Sequence, residues 1–160
     1  MAAIVSIRKN SPGNFKFCKK VSALAAGAAQ ITGADVRLTQ TAALYTDIGR
    51  LLGEKNISNT RTAAEAAGLP EKLVTVVCEA VDKDISSVKT KEAAMIILSV
   101  AVQSSFSYLR VKLKSDASAE KIVDAAIGKK VMTGFLNDCG ISVRDCSTLR
   151  AYFISRLESL

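Results

Sequence analysis

The sequence predicts an all-α fold, a single-domain multi-helix bundle around one buried central helix. Three observations carry this. Ala93–Val102 is the longest apolar run in the chain. Met95, Leu98, Val102, Phe106, Leu109 and Leu113 recur every three or four residues through and beyond it, the spacing of one helical face. Apolar residues make up 49% of the 160 residues, yet aromatics supply only 5% and Trp is absent. The core must therefore be built from Ala, Val, Leu and Ile, and Ala has the best helix propensity. The length suits one domain with a proper core.

The first twenty residues read as a basic N-terminal arm or short hairpin. Ser11-Pro12-Gly13-Asn14 carries a turn signal, with Pro at the second position and Gly at the third. Ile4–Ile7 and Phe15–Phe17 would be its two flanks. Phe15 and Phe17 lie among Lys16, Lys19 and Lys20, as stacking residues do in a basic groove. Residues 21–160 form the helical domain. An Ala-rich helix runs from Val21 to Ile31 and ends near Gly33. The next runs from about Asp35 to Leu52, with Val36, Ala43 or Leu44, Ile48, and Leu51 or Leu52 facing the core, and stops at Gly53.

Thr62-Ala63-Ala64-Glu65 has the capping-box pattern and opens a short helix to Ala67. Pro70 marks the first turn of a helix reaching Val81. Asp82-Lys83-Asp84 makes a polar link. The central helix then spans about Lys89 to Lys114. Leu109–Lys114 alternates apolar and cationic residues as a strand would, but the helical face continues unbroken across some twenty residues. Ala93–Leu109 is an uncharged stretch of 17 residues containing Ser99, Gln103, Ser104, Ser105 and Ser107. A membrane span needs about twenty predominantly apolar residues, so the stretch reads as a buried helix and not a span. Asp116 or Ser118 caps a helix from Glu120 to about Phe135. Gly140 breaks the chain. Asp145 or Ser147 caps the last helix, whose face is Leu149, Phe153, Leu157 and Leu160. About seven helices result.

The net charge of +7 is uneven. Residues 1–20 carry Arg8, Lys9, Lys16, Lys19 and Lys20 with no acid. A second basic patch begins at Arg110, Lys112 and Lys114. Clustered cations suit nucleic-acid phosphates or an anionic membrane surface. The chain has no histidine, which removes the commonest general base and the commonest metal ligand. Cys18, Cys78, Cys139 and Cys146 lack paired zinc-knuckle spacing and read as reduced thiols in a cytoplasmic setting. Cys78, among valines, should be inert, and Cys18, beside cations in the arm, should be labelled faster. No glycine-rich phosphate loop occurs, and Asp35 and Asp47 each stand alone. These absences argue against an enzyme, a cofactor or a metal.

One local pattern is more specific. Ala64, Gly68, Leu69, Val74 and Val77 stand at the spacings of two helices packed across a tight turn. The stretch Thr62–Val77 resembles a helix-turn-helix DNA-binding unit. The resemblance implies that Pro70, Glu71, Lys72, Thr75 and Val76 face the major groove. The leading expectation is a non-enzymatic structural protein, coat- or nucleoprotein-like, that self-associates as a homo-oligomer. It would bind nucleic acid non-specifically through Arg8, Lys9, Lys16, Lys19, Lys20, Arg110, Lys112 and Lys114. The alternatives are a helix-turn-helix regulator and a helical adaptor or chaperone.

Overall fold

Residues 2–160 are described by a computed structural model, and among them every regular element is helical. Eight α-helices follow one another: α1 (Ala2–Asn10), α2 (Pro12–Thr32), α3 (Val36–Tyr45), α4 (Ile57–Ala66), α5 (Glu71–Val81), α6 (Lys91–Phe106), α7 (Ala119–Met132) and α8 (Val143–Glu158). A 3-10 turn at Ile48–Leu52 precedes α4, and a π-helical turn at Ser107–Lys112 continues α6. The expected all-α bundle is what forms.

The N-terminal stretch is helical, where the sequence predicted an arm or hairpin. Pro12 opens α2, a position where its missing N–H costs no intrahelical bond. The Ser11 N–H donates to the Ile7 carbonyl at 3.1 Å, and the Phe15 N–H to the Ser11 carbonyl at 2.9 Å. The turn signal is thus a junction between two helices. Ile7 and Phe15 are buried in the core, and α1 packs on α2, α3 and the 3-10 turn. Gly33 ends α2 with φ of 75°, as the glycine stop predicts.

Other boundaries moved for local reasons. Asp35 caps α3 by accepting the Leu38 N–H at 3.0 Å. The helix expected to reach Leu52 instead breaks at Thr46–Asp47 and tightens. Asn56 caps α4 through the Asn59 N–H at 2.8 Å, so Thr62–Glu65 lies within α4 and does not start it. Ser142 caps α8 in a capping box with Asp145.

Helix α6 is the centre of the bundle and packs against α2, α3, α5 and α7. Met95, Ile96, Leu98 and Val102 are fully buried. Lys91–Lys112 is long and apolar enough to cross a membrane by length and composition, but here its first half is wrapped by four helices. Helix α8 closes the bundle on α2. The Tyr152 hydroxyl donates to the Leu24 carbonyl at 2.6 Å, passing over Gly27, where any Cβ would strike the tyrosine ring. Arg150 ties α8 to Asp124 and Glu120 of α7 at 2.7 and 2.9 Å.

All four cysteines are free. Cys18 is buried, contrary to the expectation of an accessible thiol, because α2 turns it inward. Burial pushes the thiols of Cys18, Cys78, Cys139 and Cys146 up from their ordinary range. The nearby Lys55 and Arg50 work the other way at Cys18 but are outweighed by desolvation. Thiol reagents act on the thiolate. Native labelling near neutral pH should therefore be slow at Cys18, Cys78 and Cys139, with half-buried Cys146 first. Rapid modification of Cys18, followed by mass spectrometry, would show that α2 does not hold it as described.

Candidate functional site

Asp47 is the only buried charged side chain among the described residues, at 4% exposure. It sits where α3 gives way to the 3-10 turn. An unpaired buried carboxylate is costly, and two cations answer it. The Lys55 ammonium lies 2.9 Å from Asp47 Oδ1, and Arg50 Nε lies 3.4 Å from the same oxygen. Lys55 is partly exposed and Arg50 more so, so both span from the buried acid toward solvent.

The turn that carries these groups is clamped from behind. Gly49 packs against α4 so closely that a Cβ there would fall 2.7 Å from Thr60 Oγ1 and 3.0 Å from the Thr60 nitrogen. Thr60 is itself fixed, its hydroxyl donating to the Asn56 carbonyl at 2.6 Å. Gly53 has φ of 130°, a conformation open mainly to glycine, and it turns the chain so that Lys55 comes back over Asp47.

The opposite wall is α2, through Asn14, Phe17, Cys18 and Val21. Cys18 Sγ lies 3.4 Å from Thr46 Oγ1, and the Thr46 hydroxyl donates to the Ala43 carbonyl at 2.9 Å. Ala80 and Val81 of α5, with Ile96 and Val100 of α6, complete an apolar floor. The cleft measures about 230 Å³. Two cations against one carboxylate leave it an excess positive charge. Phe17 is half-buried there and offers a ring face. The arrangement suits an anion attached to a flat, partly apolar group.

None of the basic residues singled out from sequence lines this cleft. Arg8 and Lys9 are exposed on α1, and Lys16, Lys19 and Lys20 on α2. Phe15 is in the core and Phe17 in the cleft, so the two do not form one stacking platform. Lys20 lines a separate groove with Phe106, Arg156 and Leu160. Arg110 lies over the Phe106 ring, 5.8 Å from its centroid. The two basic stretches therefore meet at Phe106. Lys112 lies over the ring of Tyr108 at 5.9 Å, and Lys114 is exposed with φ of 50°.

The α4–α5 hairpin packs as its spacing predicted: Ala64, Val74 and Val77 are fully buried, and Gly68 has φ of 74°. The groove-facing surface implied by the helix-turn-helix resemblance is not there. Val76 is buried. Arg61 pairs with Glu65 at 3.0 Å and Glu71 at 3.2 Å, which gathers carboxylates where DNA phosphates would lie.

No protein-family model and no curated protein matches the sequence. Solved structures do. The HD domain of the L. monocytogenes phosphodiesterase PgpH in complex with cyclic-di-AMP superposes with a TM-score of 0.81 at 17% identity, covering 99% of this chain and 96% of that one. A second structure of that HD domain superposes with a TM-score of 0.79 at 16% identity, covering 98% and 97%. The chain shares its fold with that HD domain. This overturns three expectations drawn from sequence. A coat- or nucleoprotein-like subunit, a DNA regulator and an adaptor all gave no role to an architecture on which a phosphodiesterase is built. The expectation of a non-enzyme is corrected as well, because the solved structures that share this fold are of a phosphodiesterase domain. The neighbour's partner is cyclic-di-AMP, a small nucleotide, where a nucleic-acid polymer and self-association were expected.

Phosphodiester-cleaving sites commonly clamp the phosphate with divalent ions held by imidazoles and carboxylates. The residues here do not fit such ions. The chain has no histidine, and among the described residues no three His, Cys, Asp or Glu side chains gather at one point. Asp47 already carries an ammonium group. Sequence reasoning passed over Asp47, Arg50 and Lys55. The available signal was that Asp47 follows buried Ala43 by four residues, so it continues an apolar stripe where a charge is out of place.

Proposed function

We propose that this HD-fold domain binds a small nucleotide, through its phosphate or phosphodiester group, in the cleft at Asp47. The observation that carries the reading is Asp47, the one buried carboxylate among the described residues, holding Lys55 and Arg50 at the mouth of an apolar cleft. Lys55 supplies a point charge, and Arg50 a planar fork suited to phosphate oxygens. Asp47 positions both. The Phe17 ring offers a stacking surface for a base. The overall likeness to a hydrolase domain that holds cyclic-di-AMP supports the same ligand class. The four free thiols suit a reducing compartment such as the cytoplasm.

Isothermal titration with cyclic-di-AMP, AMP and inorganic phosphate, in the presence of a chelator, tests this. Saturable binding of at least one nucleotide is expected without added divalent ion. Lys55→Gln should weaken it about ten- to a hundredfold, the range of one charge-assisted hydrogen bond. Analysis of the same mixtures for cleavage products tells hydrolysis from binding alone. No binding of any of the three ligands, with or without divalent ions, would overturn the proposal.

A further inference from the structure

Beyond the Asp47 cleft, the meeting of the two basic stretches at Phe106 forms a surface of its own. Lys20 of α2 and Arg156 of α8 flank a groove of about 240 Å³ with Phe106, Leu24 and Leu160. Arg110 over Phe106 joins this groove to the π-helical turn. There Leu109 still packs against the core, but its neighbours turn outward. Tyr108 is 52% exposed, Val111 70% and Leu113 54%, and Leu160 beside the groove is 73% exposed. Single exposed apolar residues are ordinary, but a contiguous group of them marks a contact surface.

The turn is held in this conformation. The Leu113 N–H donates to the Tyr108 carbonyl at 3.0 Å, and the Ser115 N–H to the Leu109 carbonyl at 2.8 Å. Arg110 grips the Ala117 carbonyl through Nε at 3.1 Å and Nη2 at 2.8 Å. Its apolar side chains are thus presented to solvent by a fixed backbone.

The charge is equally one-sided. The segments 20–24, 103–114 and 156–160 hold five cations (Lys20, Arg110, Lys112, Lys114 and Arg156) and one acid, Glu158. None of the five pairs with a carboxylate among the described residues. Protein interfaces are depleted of Lys at their apolar centre. Here Val111, Lys112, Leu113 and Lys114 alternate. A bilayer headgroup region accepts that mixture, since apolar tips reach the acyl boundary while lysines stay among the phosphates. Tyrosine favours the same depth.

We infer that the Tyr108–Lys114 turn, with Lys20 and Arg156, docks this domain on an anionic lipid surface. Tyr108, Val111 and Leu113 enter the headgroup boundary, and the lysines and Arg156 meet lipid phosphates. Cosedimentation with vesicles of phosphatidylcholine, with and without phosphatidylglycerol, tests this. Binding is expected only to vesicles containing phosphatidylglycerol, and should fall steeply with salt. Lys112→Gln and Lys114→Gln should each weaken it about fivefold. Val111→Asp with Leu113→Asp should abolish it and leave the thermal melt unchanged, since both side chains are exposed. Equal binding to neutral vesicles, or full binding by the double aspartate variant, would overturn the inference. So would capture by polyglutamate without vesicle binding, which would point to an acidic protein partner.

Discussion

Replacing Lys55 and Arg50 together by Met is expected to destabilise the fold by about 3 kcal/mol, the lower end of the range of about 3–5 kcal/mol for stripping a partner from a buried charge. Asp47 is only 4% exposed, so the variant leaves an unanswered carboxylate inside the bundle. The lower end applies because both cations are partly exposed. The reverse deletion should be much milder. In Asp47→Asn the two cations lose their partner but can turn to solvent, which costs little. The triple variant, adding Asp47→Leu to the double, should regain most of the lost stability, because a buried ion pair replaced by apolar residues is often neutral or better. Nucleotide binding should stay lost in the triple variant, which separates the site's role in folding from its role with ligand. Urea denaturation and titration with cyclic-di-AMP read the two. A double variant as stable as the parent would show that Asp47 reaches solvent.

That asymmetry also explains why the site was hard to read from sequence. Helical periodicity reports which positions face inward, and it worked along the longer apolar stripes. The central run, the α4–α5 hairpin and the last helix through Leu149, Phe153 and Leu157 pack as their spacing implies, while Leu160, expected on the same face, is exposed past the end of α8. Asp47 faces inward too, but a charge lowers the apparent amphipathicity of its stripe, so the same pattern reads as a surface acid. Its partners could not be recovered by periodicity at all. Lys55 reaches Asp47 only because the chain tightens into a 3-10 turn and reverses at Gly53, and Phe17 arrives from another helix. Charge counting misled in the opposite sense. The clustered lysines at the N-terminus looked like an arm because cations are conspicuous, while the burial of Ile7 and Phe15 depends on a helix start at Pro12 that resembles a turn.

The central helix offers the sharpest contrast between pattern and packing. Leu98 and Leu113 belong to one face by spacing, yet Leu98 is completely buried and Leu113 is 54% exposed. Leu98→Ala should cost about 2–5 kcal/mol, from lost transfer energy and the cavity left among neighbouring helices. Leu113→Ala should stay within about 0.5 kcal/mol, as exposed substitutions do. The difference arises after Phe106, where α6 widens into the π-helical turn; Leu109 still packs on the core, and Leu113 does not. A continuous α-helix would have carried Leu113 onward along the same stripe as Leu109. Equilibrium denaturation of the two variants measures this directly. A loss at Leu113 approaching that at Leu98 would mean that the face continues packed beyond Phe106. The Tyr108–Lys114 turn would then be unavailable to a bilayer, so this pair of melts also bears on the docking surface.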